Sequence, residues 1–74
     1  MKIHVATITH KHGINFYAAK TRKGLEKQLY QFVSEWDPSL RSRQPEEYGD
    51  AISEYFDDRQ DEESLEEDVT DLED

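Results

Sequence analysis

Seventy-four residues, no cysteine and 34% hydrophobic side chains allow one domain with one modest core, and exclude a disulfide framework or a thiolate metal site. A chain this small buries only about 60% of the surface its unfolded form exposes, which leaves little volume for a dry catalytic pocket. The net charge of −9 is segregated: residues 1–43 carry eight Lys/Arg against three Asp/Glu, and residues 44–74 carry fifteen Asp/Glu against Arg59 alone, a pattern that repels nucleic acid and anionic membrane and draws basic protein surfaces.

From Lys2 to Thr9, β-branched and small residues alternate, with Ile3, Val5, Thr7 and Thr9 on one face and Lys2, His4, Ala6 and Ile8 on the other, which predicts a strand. His10-Lys11-His12-Gly13 supplies a turn with glycine for a positive-φ position, and Ile14 to Lys20 resumes an extended pattern containing Phe16 and Tyr17. Residues 1–20 therefore read as a β-hairpin. A two-stranded hairpin is marginal in water and needs a covering element.

Thr21 has the chemistry of a helix N-cap, and Leu25, Leu29, Phe32, Val33 and Trp36 follow at helical spacing. This predicts an amphipathic helix over 22–36, weakened near its start by Gly24 and ended by Asp37-Pro38. After a polar, basic connection, Pro45-Glu46-Glu47 reads as a first helical turn. Tyr48, Ala51, Ile52, Tyr55 and Phe56 then recur at i, i+3, i+4, i+7 and i+8, predicting a second helix over 45–58. The acidic segment 59–74 has only Leu65, Val69 and Leu72 as apolar anchors. Ser64-Leu65-Glu66-Glu67 has capping-box spacing and favours a short helix, dense like charge opposes one, and a third strand or disorder are the alternatives. The fold class is α+β: an N-terminal hairpin packed against two amphipathic helices, with ββααβ order if the tail pairs as a strand.

Three histidines, His4, His10 and His12, are the candidates for metal binding or pH sensing. Zinc needs a third and usually a fourth ligand, and no carboxylate spacing singles one out, so the expectation is surface or structural histidines, no metal and no cofactor. Carboxylates are abundant without a geometry that selects a pair, and no phosphate loop, serine elbow or zinc-protease motif is present in the sequence, so no enzyme is expected. The aromatic residues fall mostly at helical spacing and are needed for the core. Tyr17 and Tyr30 lie off the main stripes, where they serve either as interface anchors or as boundary residues.

The acidic run exceeds ordinary composition. Glu47, Asp50, Glu54, Asp57, Asp58 and Asp61 can form one negative ridge along the second helix, extended by Glu62, Glu63, Glu66, Glu67 and Asp68, with Ser64 and Leu65 among them as further candidate partner-binding residues. Carboxylates one helical turn apart are separated by about 5–6 Å, close to the spacing of successive phosphates along a DNA strand. Such a ridge fits a cleft built for phosphates. The plainer reading is a solubilising acidic tail.

Val5-Ala6-Thr7-Ile8-Thr9-His10-Lys11-His12-Gly13, followed by Asn15 and Tyr17, resembles segments of small proteins of phages and mobile elements. The overall design, short and acidic, is similar to that of phage anti-defence proteins: anti-CRISPR proteins, restriction inhibitors and uracil-DNA glycosylase inhibitors. Glu63-Ser64-Leu65 is similar to the acidic-Ser-aliphatic segment with which uracil-DNA glycosylase inhibitors enter the enzyme's DNA groove; the apolar pocket with which that family sequesters an enzyme leucine has no counterpart in the sequence pattern. Charge segregation, together with this resemblance, leads to the expectation of a stoichiometric inhibitor, monomeric or weakly dimeric, that imitates DNA to block a nucleic-acid-binding enzyme, and the lack of cysteine fits a cytoplasmic location. An acidic adaptor or antitoxin-like module for a basic protein is the alternative.

Overall fold

A computed structural model describes residues 1–71. The elements run β1 (Lys2–His10), β2 (Gly13–Ala19), α1 (Arg22–Trp36), a 3-10 turn (Pro38–Leu40), a second 3-10 turn (Pro45–Glu47), α2 (Tyr48–Asp57) and β3 (Ser64–Asp71). The sheet order is β2-β1-β3, antiparallel throughout. The fold is α+β with ββααβ order, and the third strand returns after both helices to pair with β1.

The hairpin forms as its residues dictate. Gly13 takes φ 140°, a conformation that side-chain-bearing residues rarely adopt, and the register from His10↔Gly13 to His4↔Ala19 follows from that turn. Alternation then assigns the faces. Ala6 and Ile8 are buried against the helices, which leaves Ile3, Val5, Thr7 and Thr9 on the side of the sheet that no helix covers.

Helix α1 has the bounds the sequence predicts. The Gly24 N–H donates to Thr21 Oγ1 at 3.0 Å, and at the other end Arg41 donates to the carbonyls of Ser34 (2.8 Å) and Glu35 (3.4 Å), satisfying acceptors that a helix terminus leaves open. A Cβ on Gly24 would lie 3.2 Å from Thr21 Oγ1 and 3.3 Å from Ala19 Cβ, so the glycine that weakens the first turn also lets the cap and the end of β2 approach. Leu25, Leu29, Phe32 and Val33 enter the core; Trp36, expected to complete the stripe, is 55% exposed. The helix ends at that residue, whose ring lies 6.3 Å from that of Phe32, and Phe32 in turn meets Tyr55 edge-on at 6.0 Å.

Tyr30 corrects the stripe in the other direction. It is 9% exposed, its ring stacks on Tyr48 at 4.0 Å, its hydroxyl donates to the Leu40 carbonyl (2.7 Å) and it accepts from the Arg43 N–H (3.0 Å). Because α1 packs against α2 as well as the sheet, a second side of the helix is buried, and Tyr30 uses it to fasten the connection between the helices. Tyr17 is half-buried, accepting from Asn15 Nδ2 at 3.2 Å. The expected helix over 45–58 starts as a 3-10 turn and is α-helical from Tyr48 to Asp57.

Within the acidic segment, Ser64–Asp71 form a strand. Leu65 pairs with Ile8 and packs against the core, whereas Val69 is 49% exposed; Leu72 lies outside the described residues. Two physical terms favour the strand over the short helix that the capping-box spacing suggests. Extended backbone separates same-face carboxylates by about 6.8 Å against about 5–6 Å on a helix, and β1 offers an edge whose hydrogen-bonding groups would otherwise face water.

Candidate acidic interface

The thirteen residues singled out in the sequence occupy three settings. Asp50, Glu54, Asp57 and Asp58 are exposed on α2 and its C-terminal cap, with Asp61 and Glu62 exposed in the turn that follows. Positions 50, 54 and 57 follow helical spacing, which places them along one side of α2, and Asp61 lies in the turn beyond its end. Glu47 sits at the entry to α2, where its Oε2 accepts from the Gln44 N–H at 3.4 Å.

Alternation in β3 divides the rest. Glu66 and Asp68 lie on the open face of the sheet with Ser64, while Leu65, Glu67 and Val69 face the helices. Glu63 is half-buried and its carboxylate meets Arg59 Nε at 3.6 Å; Glu67 meets Arg22 Nη2 at 3.3 Å. Glu54 pairs with Arg43 at 3.0 Å. Among the described residues, Asp50, Asp57, Asp58, Asp61, Glu62, Glu66 and Asp68 make no ion pair. The acidic run is thus two solvent-facing arrays, one along α2 and its turn and one on the open sheet face, separated by paired carboxylates.

Arg59, the only cation after Arg43, holds these parts together. Its guanidinium lies 4.0 Å from the centre of the Tyr55 ring, reaches Asp37 Oδ2 at 3.5 Å and donates to the Tyr55 carbonyl at 3.3 Å, besides its contact with Glu63. One side chain therefore ties the end of α1, the end of α2 and the approach to β3. Burial first, and the neighbouring Glu63 carboxylate second, push the Tyr55 hydroxyl well above the usual phenol range. The Asp37 carboxyl is held below its usual value by hydrogen bonds from the Ser39 hydroxyl and N–H, with Arg59 adding to the effect.

The histidines are separately engaged. His10 Nδ1 accepts from the His12 N–H at 3.3 Å, and His10 Nε2 lies 3.5 Å from Asn15 Oδ1. The His10 and His12 rings are 6.1 Å apart, and His4 lies along β1 at the other end of the hairpin. Among the described residues, no group of three or more His, Asp or Glu side chains converges with metal-binding geometry, and no helix is long and apolar enough to cross a membrane.

Sequence reasoning missed the open side of the sheet. Phe16 is 77% exposed and Ile14 55%, on the same face as Glu66 and Asp68. The alternation of β1 marked two faces, but the covered one could be chosen only once the helices were placed. No protein-family model, curated protein or solved structure matches the chain, so the functional reading rests on its own residues.

Proposed function

We propose that this chain is a stoichiometric protein inhibitor, without catalytic activity or cofactor, that acts in the cytoplasm by presenting an acidic, DNA-mimicking surface to a nucleic-acid-binding enzyme. The observation that carries the reading is the order of the acidic half as far as Asp71. Asp50, Asp57, Asp58 and Asp61 are carried on α2 and the turn after it, while Arg59 and Arg22 engage Glu63 and Glu67 and so position β3. Carboxylates in a fixed register lose less conformational freedom on binding than a disordered tail would. Their affinity for a phosphate-binding cleft, and the speed of encounter, fall with rising salt.

The test is capture from a bacterial lysate at low salt, with and without added DNA. The expected result is recovery of a nucleic-acid-processing enzyme that DNA displaces and that is lost when Asp57, Asp58 and Asp61 are together replaced by lysine. Capture that survives this charge reversal would remove the α2 array from the interface. A second reading, an adaptor that binds a basic protein while nucleic acid stays bound, is favoured by the exposed Phe16 and Ile14, because apolar contact is not displaced by phosphate. Capture unaffected by DNA selects it.

A further inference from the structure

The open face of the sheet is a small grid whose contents follow from the strand register. Phe16, Thr7 and Glu66 form one row across β2, β1 and β3; Ala18, Val5 and Asp68 form the next; Ile14, Thr9 and Ser64 lie on the other side of the first. The column on β2 is apolar, the column on β3 acidic, and the two are separated by two strand spacings, about 10 Å. An exposed apolar column set beside charge marks an interaction surface more than a solvated one.

We infer that this face docks a basic amphipathic helix of a partner protein, with the helix's apolar stripe on Phe16, Ile14 and Val5 and its flanking cations on Glu66 and Asp68. The inference rests on the reading that the partner is cationic, and adds which part of the partner meets the sheet. Dimensions and charge select the occupant. A helix is about 10–12 Å across, so a stripe seated over β2 and β1 brings the residues at its edge over β3. Glu66 and Asp68 are two residues apart on one face, about 6.8 Å along the strand; cations at i and i+4 are about 6 Å apart along a helix. The pair Glu66 and Asp68 therefore matches two Lys or Arg side chains one turn apart, and Phe16 in the Glu66 row fixes where the apolar stripe must run. A second copy of this chain would bring its own Glu66 and Asp68 to the interface, where like charge opposes association.

The test uses the intact chain and two synthetic peptides of identical Leu and Lys content, one with leucines at i, i+3, i+4 and i+7 and one with that stripe scrambled. Binding is followed by amide chemical shifts and by titration at physiological salt. The expected result is that the striped peptide binds about tenfold tighter than the scrambled one, shifts the amides of Val5, Phe16 and Glu66, and loses this advantage in Phe16→Ala. Circular dichroism of Phe16→Ala separates lost docking from lost folding, and Glu66→Gln with Asp68→Asn should weaken the striped peptide without unfolding the chain. Equal affinities for the two peptides, or an advantage that survives Phe16→Ala, would overturn the inference, as would a concentration-dependent dimer that Phe16→Asp abolishes in sedimentation. These outcomes leave the α2 array untouched, so the inhibitor reading fails separately, through the DNA competition and lysine substitutions that test it.

Discussion

Strands β2 and β3 flank the same central strand with the same antiparallel sense, yet they are ordered by different means. A tight turn with Gly13 at positive φ joins β2 to β1, so its pairing is local; its outer margin is partly covered where Gln28 of α1 donates to the Ala18 carbonyl at 3.0 Å. Strand β3 arrives after both helices, carries Glu66, Glu67, Asp68 and Asp71, and has one anchor in the core, Leu65. Its register against β1 joins residues far apart in the chain, with Arg22 reaching Glu67 from α1 and Arg59 meeting Glu63 just before the strand. The local edge can leave apolar side chains in water on its open face. The distant edge uses half of its side chains as charges and relies on neighbours for its place, which makes β3 the part of the sheet expected to open first.

Substitutions should separate the two edges in graded order. Ile8, fully buried in β1 between Asn15 and Leu65, supports both; Ile8→Ala should cost about 2–4 kcal/mol, lowering the denaturant midpoint and exposing the amides of β2 and β3 together. Leu65→Ala should cost less, about 1–2 kcal/mol given its partial burial, and hydrogen exchange should speed up in β3 ahead of β2. Arg59→Ala removes two half-buried ion pairs and a cation–π contact, together about 1 kcal/mol, with faster exchange in β3 and in the turn before it while the β1–β2 pairing keeps its protection. Phe16→Ala, at a side chain mostly in water, should stay within about 0.5 kcal/mol of the parent in chemical denaturation; a larger loss would mean that the open face contributes to folding as well as docking.

Acid should test the contacts of Asp37, first those with Ser39 and then that with Arg59. The Asp37 carboxyl titrates lower in the folded chain than its ordinary value of 3.8, so its contribution to stability is complete above that value and is lost as pH falls through the folded one. Melting curves of the parent and Asp37→Asn should therefore run parallel at neutral pH and converge below about pH 3.8. Convergence at higher pH would point to other carboxylates, with Glu63 the nearest on the same guanidinium.

Much of this arrangement was legible in the sequence where a local rule sets it. Thr21 and Asp37-Pro38 bracket α1 because capping and the restriction before proline act within a few residues, and Gly13 locates the hairpin turn for the same reason. Residues placed by distant partners were not legible. Tyr30 is off the periodic stripe, and only the approach of Tyr48 and of residues 40–43 explains its burial; Trp36 is on the stripe, but the helix ends there. The acidic segment was ambiguous because its preference is nearly balanced locally, and pairing with β1 decides it. The candidate surface divides in the same manner: carboxylates on α2 follow from helical spacing, whereas the separation of Glu66 and Asp68 from Glu67 exists only in the extended strand.

The turn after α2 also carries a cleavage point. Trypsin cuts after lysine or arginine, and beyond Arg43 the sequence offers it one bond, Arg59–Gln60. While Arg59 is held against Tyr55, Asp37 and Glu63 the side chain a protease must seize is engaged, so digestion there counts the moments when the latch is open. A bound partner that rests on β3 should lengthen the life of that one bond, making a simple proteolysis clock a reporter of occupancy.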